Sequence, residues 1–245
     1  MMDHQAYCSA VAGEIKALAD LVSGADLAAP VPTCPGWTLG DLVWHVGVAH
    51  RWAERIVGTR ASARVPIREV AASPEGDLVE WLRSGGEALV ATLRAADPDE
   101  PVWAWGEDQH QRFWARRMLF ETRVHRADVE LALGLSPAIA PALAADGIEE
   151  FLANLPHARS ISSRLADFES HGQTLHLHAT DAEGEWTVTM PPAYSWRRGH
   201  AKGDVALRGP VADLLLVVYG RLGPEAVTVF GDRELLERWL AATAL

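Results

Sequence analysis

Residues 112–134 read RFWARRMLFETRVHRADVELALG, and residues 38–58 read TLGDLVWHVGVAHRWAERIVG. Spacing decides both as amphipathic helices. Trp114, Met118, Glu121, His125, Asp128 and Ala132 recur at three- and four-residue intervals in the first. Leu42, His45, Ala49, Trp52 and Ile56 do so in the second. Each stripe is apolar except for a few residues that do not belong in a hydrocarbon core. A carboxylate and two imidazoles facing a helix-bundle interior are costly unless something pairs with them. A divalent metal is the simplest partner.

Working outward, Thr38 is a good N-cap with Asp41 adding negative charge to the first turn. Gly134 stops the later helix as a C′ glycine. Upstream, Tyr7, Val11, Ile15, Leu18 and Val22 mark a further helix. Leu78, Leu82, Leu89 and Leu93 mark another, beginning after Ser73-Pro74. Four such helices predict an up-down-up-down bundle. The longer connections, 59–73 and 97–110, are placed to cover one end of it.

The second half changes character. Pro141 opens a short helix through Leu155. TLHLHAT and EWTVTM alternate as half-buried strands around DAEGE, a hairpin. DVALRG and AVTVFG read as further strands, PVADLLLVVYGR as a helix, and Asp232 as the cap of a last helix, RELLERWLAATA. The expected fold class is α+β: residues 1–136 a metal-binding four-helix bundle, residues 137–245 a smaller α+β domain.

Composition narrows the function. The chain has 245 residues, 49% of them hydrophobic, and a net charge of -11 with no Lys/Arg-rich block. Nucleic acid and anionic membrane surfaces are therefore not the expected partners. No apolar run approaches the roughly 18–20 residues of a membrane span, and the start MMDHQAYCSAVAGEIKALAD lacks the basic and apolar regions of a signal peptide. A cytoplasmic protein is expected. Cys8 and Cys34, the two cysteines, form no CxxC metal motif.

Glu121 and His125 are one turn apart on one face, so both reach a single ion about 2.0–2.2 Å from each donor atom. His45 on a neighbouring antiparallel helix closes a third corner. Two histidines and one carboxylate suit zinc with an open fourth position, the pattern of catalytic zinc. The plainer reading is a Glu–His pair on the bundle rim; the apolar phase of the seam argues against it. Asp128 either orients a ligand imidazole or bonds a backbone or arginine partner. His50, five residues beyond His45, is turned about 140° round the helix and is left out of the site. His176 and His178 share one face of a strand and are read as an ordinary solvated face. Cys34 precedes the His45 helix and is read as a small buried thiol. Arg116, Arg117, Arg123 and Arg126 are read as the solvated face of their helix. Arg221 ends an apolar helix, where a cation needs no functional explanation.

CPGWTLGDLVWHVG (34–47) followed by ETRVHRADVELALG (121–134) resembles the mycothiol-dependent maleylpyruvate isomerase family, whose helical domain is DinB-like. GPVADLLLVVYGRLG (209–223) resembles, more weakly, the family's C-terminal helix. The resemblance implies that His45, Glu121 and His125 are zinc ligands. It implies that Arg221 is brought from the second domain to the active site. It implies mycothiol, the low-molecular-weight thiol of actinobacteria, as cosubstrate. A thiol on zinc is deprotonated and nucleophilic. An isomerase uses the thiolate to add to an activated cis double bond, permit rotation and leave; an S-transferase leaves it attached. Arg221 would hold a carboxylate of a small anionic substrate. Two other functions fit the same ligands: a hydrolase using zinc-bound water, which needs no thiol, and a non-catalytic metal- or ligand-binding regulatory module.

Overall fold

The computed structural model describes residues 2–72, 74 and 76–244. The chain divides into two compact units, Met1–Pro137 and Ala138–Leu245. Each is described by itself below.

The first unit holds four long helices: α1 (His4–Val22), α2 (Leu39–Gly58), α3 (Leu78–Ala95) and α4 (Gln111–Ala132). Their starts are written in side chains that satisfy the free N–H groups of the first turn. Asp3 accepts from the Ala6 amide, and Asp77 accepts from Val79 and Glu80. Thr38 and Asp41 form a reciprocal capping box at α2. Ser73 lies outside the described residues; α3 begins after Asp77. α4 ends at a left-handed Gly134 with φ +73°, as expected of a C′ glycine.

The bundle is not the simple alternation expected. Along α1 and α3 the contacts run in opposite directions: His4 reaches the Leu93 carbonyl, and Asp20 bonds Arg83. α2 and α4 are antiparallel as well, with His45 beside Glu121 and Trp52 against Trp114. α2 and α3, however, run parallel. Gly47 faces Trp81, Gly85 faces Arg51, and Gly58 faces Thr92. The order is therefore up-down-down-up. The physical reason is the α2–α3 connection, residues 59–77, which at about 3.3 Å per extended residue is long enough to return along the bundle. Short loops force antiparallel neighbours; this one does not.

The longer connections do share one end. The Trp103 amide donates to the Ala61 carbonyl at 2.7 Å, the Trp52 indole donates to the Val65 carbonyl, and the Trp114 indole donates to the Trp103 carbonyl. Trp52, Trp103 and Trp114 pack ring against ring there. α4 is buried on nearly every side, and this corrects the expected solvated arginine face. Arg117 and Arg123 are buried, because the acids Glu121, Glu130 and Glu14 stand within reach to neutralise them. Arg126 is three-quarters buried on the same acids.

The second unit holds α5 (Pro141–Asn154), α6 (Arg159–Ala166), β1 (Thr174–Ala179), β2 (Glu185–Thr189), β3 (Ser195–Arg198), β4 (Val205–Gly209), α7 (Val211–Val218), β5 (Thr228–Gly231) and α8 (Arg233–Thr243). The sheet order is β3-β2-β1-β4-β5. Only β1 and β4 pair in parallel; the other neighbours are antiparallel. Leu175, Leu177, Trp186, Val188, Val205 and Leu207 are fully buried on one face, together with the all-apolar stretch of α7. Asp232 caps α8 as expected. The molecule is α+β, and among the described residues no helix is long and apolar enough to cross a membrane.

Candidate metal centre

The α2 capping box fixes where α2 begins, and the phase of the helix then carries His45 toward α4. Glu121 and His125 stand one turn apart on α4. His45 Nε2 lies 3.1 Å from Glu121 Oε1, and His125 Nε2 lies 3.6 Å from the same oxygen. The two imidazole rings meet edge to face with centroids 4.9 Å apart. All three donor atoms fall within 4.8 Å of one another. Donors around one tetrahedral ion at 2.0–2.2 Å sit about 3.4 Å apart, so the set fits a zinc-sized ion with little movement.

The neighbours of the three residues fit that purpose. Asp128 Oδ2 lies 2.9 Å from His125 Nδ1, which turns Nε2 toward Glu121, where a bound ion would take the place of the Nε2 proton. Thr33 donates to the other Asp128 oxygen at 2.6 Å, and the Cys34 thiol points to Oδ2 at 3.6 Å. Asp128 thus makes the contact to the His125 imidazole that the first of its two readings requires. Arg117 donates to Glu121 Oε2 at 2.6 Å, leaving Oε1 for the histidines. Trp37 stacks on His125 and tilts against His45. Burial alone raises the Glu121 carboxyl pKa, but the hydrogen bonds from His125 and His45 and the charge of Arg117 hold it well below the ordinary value. Burial opposes protonation of His125, yet its bonds to Asp128, Cys34 and Glu121 raise it well above the ordinary value. The site is not sealed: the His45 side chain is 38% exposed.

Cys34, His176 and His178 stand differently from expectation, and His50 does not. Cys34 is half-buried and sits at the site; with His125 and Asp128 it forms an overlapping donor set on the Nδ1 side of the same imidazole. His50 is outside both sets, as helical geometry requires, and is fully buried on Thr122 at 2.9 Å. Arg221, in the second unit, is buried and donates to the Tyr219 carbonyl at 2.7 Å, at the end of its own helix. His176 and His178 are not a solvated face: His176 is buried, and both gather round Glu185. Sequence reasoning also missed Trp37, Thr33 and Arg117 as neighbours of the donor set. The i,i+4 relation of Arg117 to Glu121 was the available signal.

A four-helix unit carrying an inward His/Glu/His set, followed by a mixed-sheet unit, defines the class of protein. A family model described as "Mycothiol maleylpyruvate isomerase N-terminal domain" matches residues 8–130, and one described as "MDMPI C-terminal domain" matches residues 142–238. The chain belongs to the mycothiol maleylpyruvate isomerase family. Its fold is similar to the crystal structure of the mycothiol-dependent maleylpyruvate isomerase, at 15% identity and TM-score 0.62 over 93% of each chain. A point mutant of that enzyme aligns at 13% identity and TM-score 0.63, again over 93% of each chain. No curated protein matches by sequence.

Proposed function

We propose that the protein is a mycothiol-using enzyme whose metal ligands are His45, Glu121 and His125. The observation that carries the reading is the convergence of two imidazole nitrogens and one carboxylate oxygen, with Asp128 holding the far nitrogen of His125. Family membership supports the thiol and the isomerase chemistry. When bound, a divalent ion such as zinc supplies Lewis acidity that keeps a coordinated thiol as thiolate near neutral pH.

The chain's own residues do the rest. Glu121 contributes the negative charge and His45 and His125 the neutral donors, a set that leaves room for one exogenous ligand. Asp128 keeps His125 in the tautomer that binds through Nε2. Arg117 holds Glu121 in place so that one oxygen faces the histidines. Trp37 walls the site with an apolar surface beside both imidazoles. Arg221 recognises an anionic group of the substrate or thiol, through a planar fork that a lysine does not reproduce. The reaction is addition of the thiolate to an activated cis double bond, rotation about the resulting single bond, and expulsion of the thiolate to give the trans product. Retention of the carbon–sulfur bond would instead give S-transfer.

The test is turnover of maleylpyruvate and of a panel of electrophiles by zinc-loaded protein, with and without mycothiol, followed by mass spectrometry. Thiol-dependent loss of substrate is expected, with unchanged product mass for isomerisation and the mass of the thiol added for transfer. Thiol-independent cleavage of a substrate into two products, with uptake of one water, would establish the hydrolase instead. Absence of turnover together with tight, stoichiometric thiol binding would establish a binding module.

A further inference from the structure

The second unit carries a cluster that the proposed function does not use. His176 and His178 are two residues apart on β1 and so share a face, opposite to the one where Leu175 and Leu177 are buried. The hairpin register sets Glu185 of β2 directly across from His178. The Gly199 amide, just past β3, donates to the Glu185 carbonyl at 2.9 Å, which brings the next residue, His200, to the same carboxylate. Three chain segments thus deliver one side chain or two each to one point. Glu185 Oε2 lies 3.0 Å from His176 Nε2 and 2.7 Å from His200 Nδ1, and Oε1 lies 3.4 Å from His178 Nδ1. The four donor atoms all fall within 4.8 Å of one another. Gly203 lies close by: a Cβ there would meet the Val205 carbonyl oxygen at 2.6 Å and the His176 amide nitrogen and Cβ at 3.1 and 3.2 Å, so a side chain at this position would crowd the strand that carries His176.

We propose that His176, His178, Glu185 and His200 form a second metal site, built for a late first-row divalent ion such as zinc, nickel or copper. Three imidazoles and one carboxylate are the donors such ions prefer, and too rich in nitrogen for magnesium or calcium. The carboxylate-to-imidazole spacings are 2.7–3.4 Å and every pair of donors lies within 4.8 Å, a set that small side-chain movements bring to the about 3.4 Å expected round a single tetrahedral ion. Charge points the same way. Among the described residues, the ion-pair partners of Glu185 are three histidines, none a permanent cation, whereas Glu121 of the bundle has Arg117. Because the chain supplies four donors, this is a closed site of structural type, and the ion would tie the β1–β2 hairpin to the segment following β3.

The two metal proposals are independent, and one experiment separates them. Full-length protein is loaded with zinc, passed into metal-free buffer to shed loosely held ions, and its metal content measured per folded chain. His178→Ala and His200→Ala remove ligands on the exposed side of the cluster, where the side chains are 32% and 74% exposed. Each is expected to lower the zinc content by one equivalent. His125→Ala, which removes a bundle ligand, is expected to retain that equivalent, and zinc is expected to raise its melting temperature but not that of His125→Ala/His178→Ala. Zinc content unchanged in both His178→Ala and His200→Ala would overturn the second site. Zinc content unchanged in His125→Ala alone would count against the bundle site and leave the second site supported.

Discussion

His50 shows how one buried side chain makes stability depend on pH. It is fully buried, its Nε2 donates to Thr122 Oγ1, and its Nδ1 has no hydrogen-bond partner among the described residues. Protonation would therefore bury an unpaired charge. Burial, aided by the positive charge of Arg51, pushes its pKa down to about 4 against the pull of Glu121. The unfolded chain, with an ordinary imidazole near 6.5, binds the proton more readily. Stability from this group is thus complete above about pH 6.5 and is lost as pH falls toward 4, by about 3 kcal/mol in all. His50→Gln keeps a donor for Thr122 and removes the titration. In chelated protein, urea unfolding at pH 7 and pH 5 is expected to show a smaller acid loss in His50→Gln than in the wild type. Equal losses would mean that another group carries the acid sensitivity.

At the scale of elements, the close parallel pairing of α2 and α3 depends on glycine. A Cβ at Gly47 would enter the Trp81 ring, and one at Gly85 would enter the Arg51 guanidinium, which itself lies 3.7 Å from the centroid of the Trp81 ring. Gly47→Ala raises helix propensity but overpacks this seam, and the second effect is larger: a loss of about 1–3 kcal/mol is expected by urea denaturation. A stabilised variant would show that α2 and α3 are farther apart than described.

Most elements were legible because their signals are local. Caps at Thr38 and Asp232, the stop at Gly134, and the alternation of TLHLHA and EWTVT all depend on residues a few positions apart. β3, SWRR, was missed because a short, largely exposed strand carries no apolar alternation, and α6, RSISSRLA, because its apolar stripe is too thin. The parallel α2–α3 pair was missed for a different reason. Helix direction in a bundle is set by how far a connection reaches, and residues 59–77 do not announce that they cross over. The donor set was legible because Glu121 and His125 interrupt an apolar seam. The burial of Arg123 was not, because one of its acid partners, Glu14, lies on α1, far away in sequence, whereas Arg117 has Glu121 one turn along its own helix.

At the scale of the whole molecule, the proposed role of Arg221 in recognising an anionic group stands beside a plainer one. Its observed bond to the Tyr219 carbonyl is also what a helix-capping arginine makes. Kinetics separate the two roles. Arg221→Ala is expected to keep its bundle metal and to lose about 1.5–3 kcal/mol in kcat/KM, a factor of ten or more, with Arg221→Lys already impaired. A lowered melting temperature with normal turnover per folded molecule would make it a cap only.

The proposed function rests on whether His45, Glu121 and His125 hold an ion that accepts a thiol. The most direct measurement replaces zinc by cobalt(II) and follows the near-ultraviolet absorption as mycothiol is added. The account predicts a thiolate-to-cobalt charge-transfer band that saturates with mycothiol and is abolished in His125→Ala. The four-donor cluster on the sheet, being closed, would not produce it. A fully metallated wild-type protein whose spectrum does not change with mycothiol, or a band that survives in His125→Ala, would contradict the account.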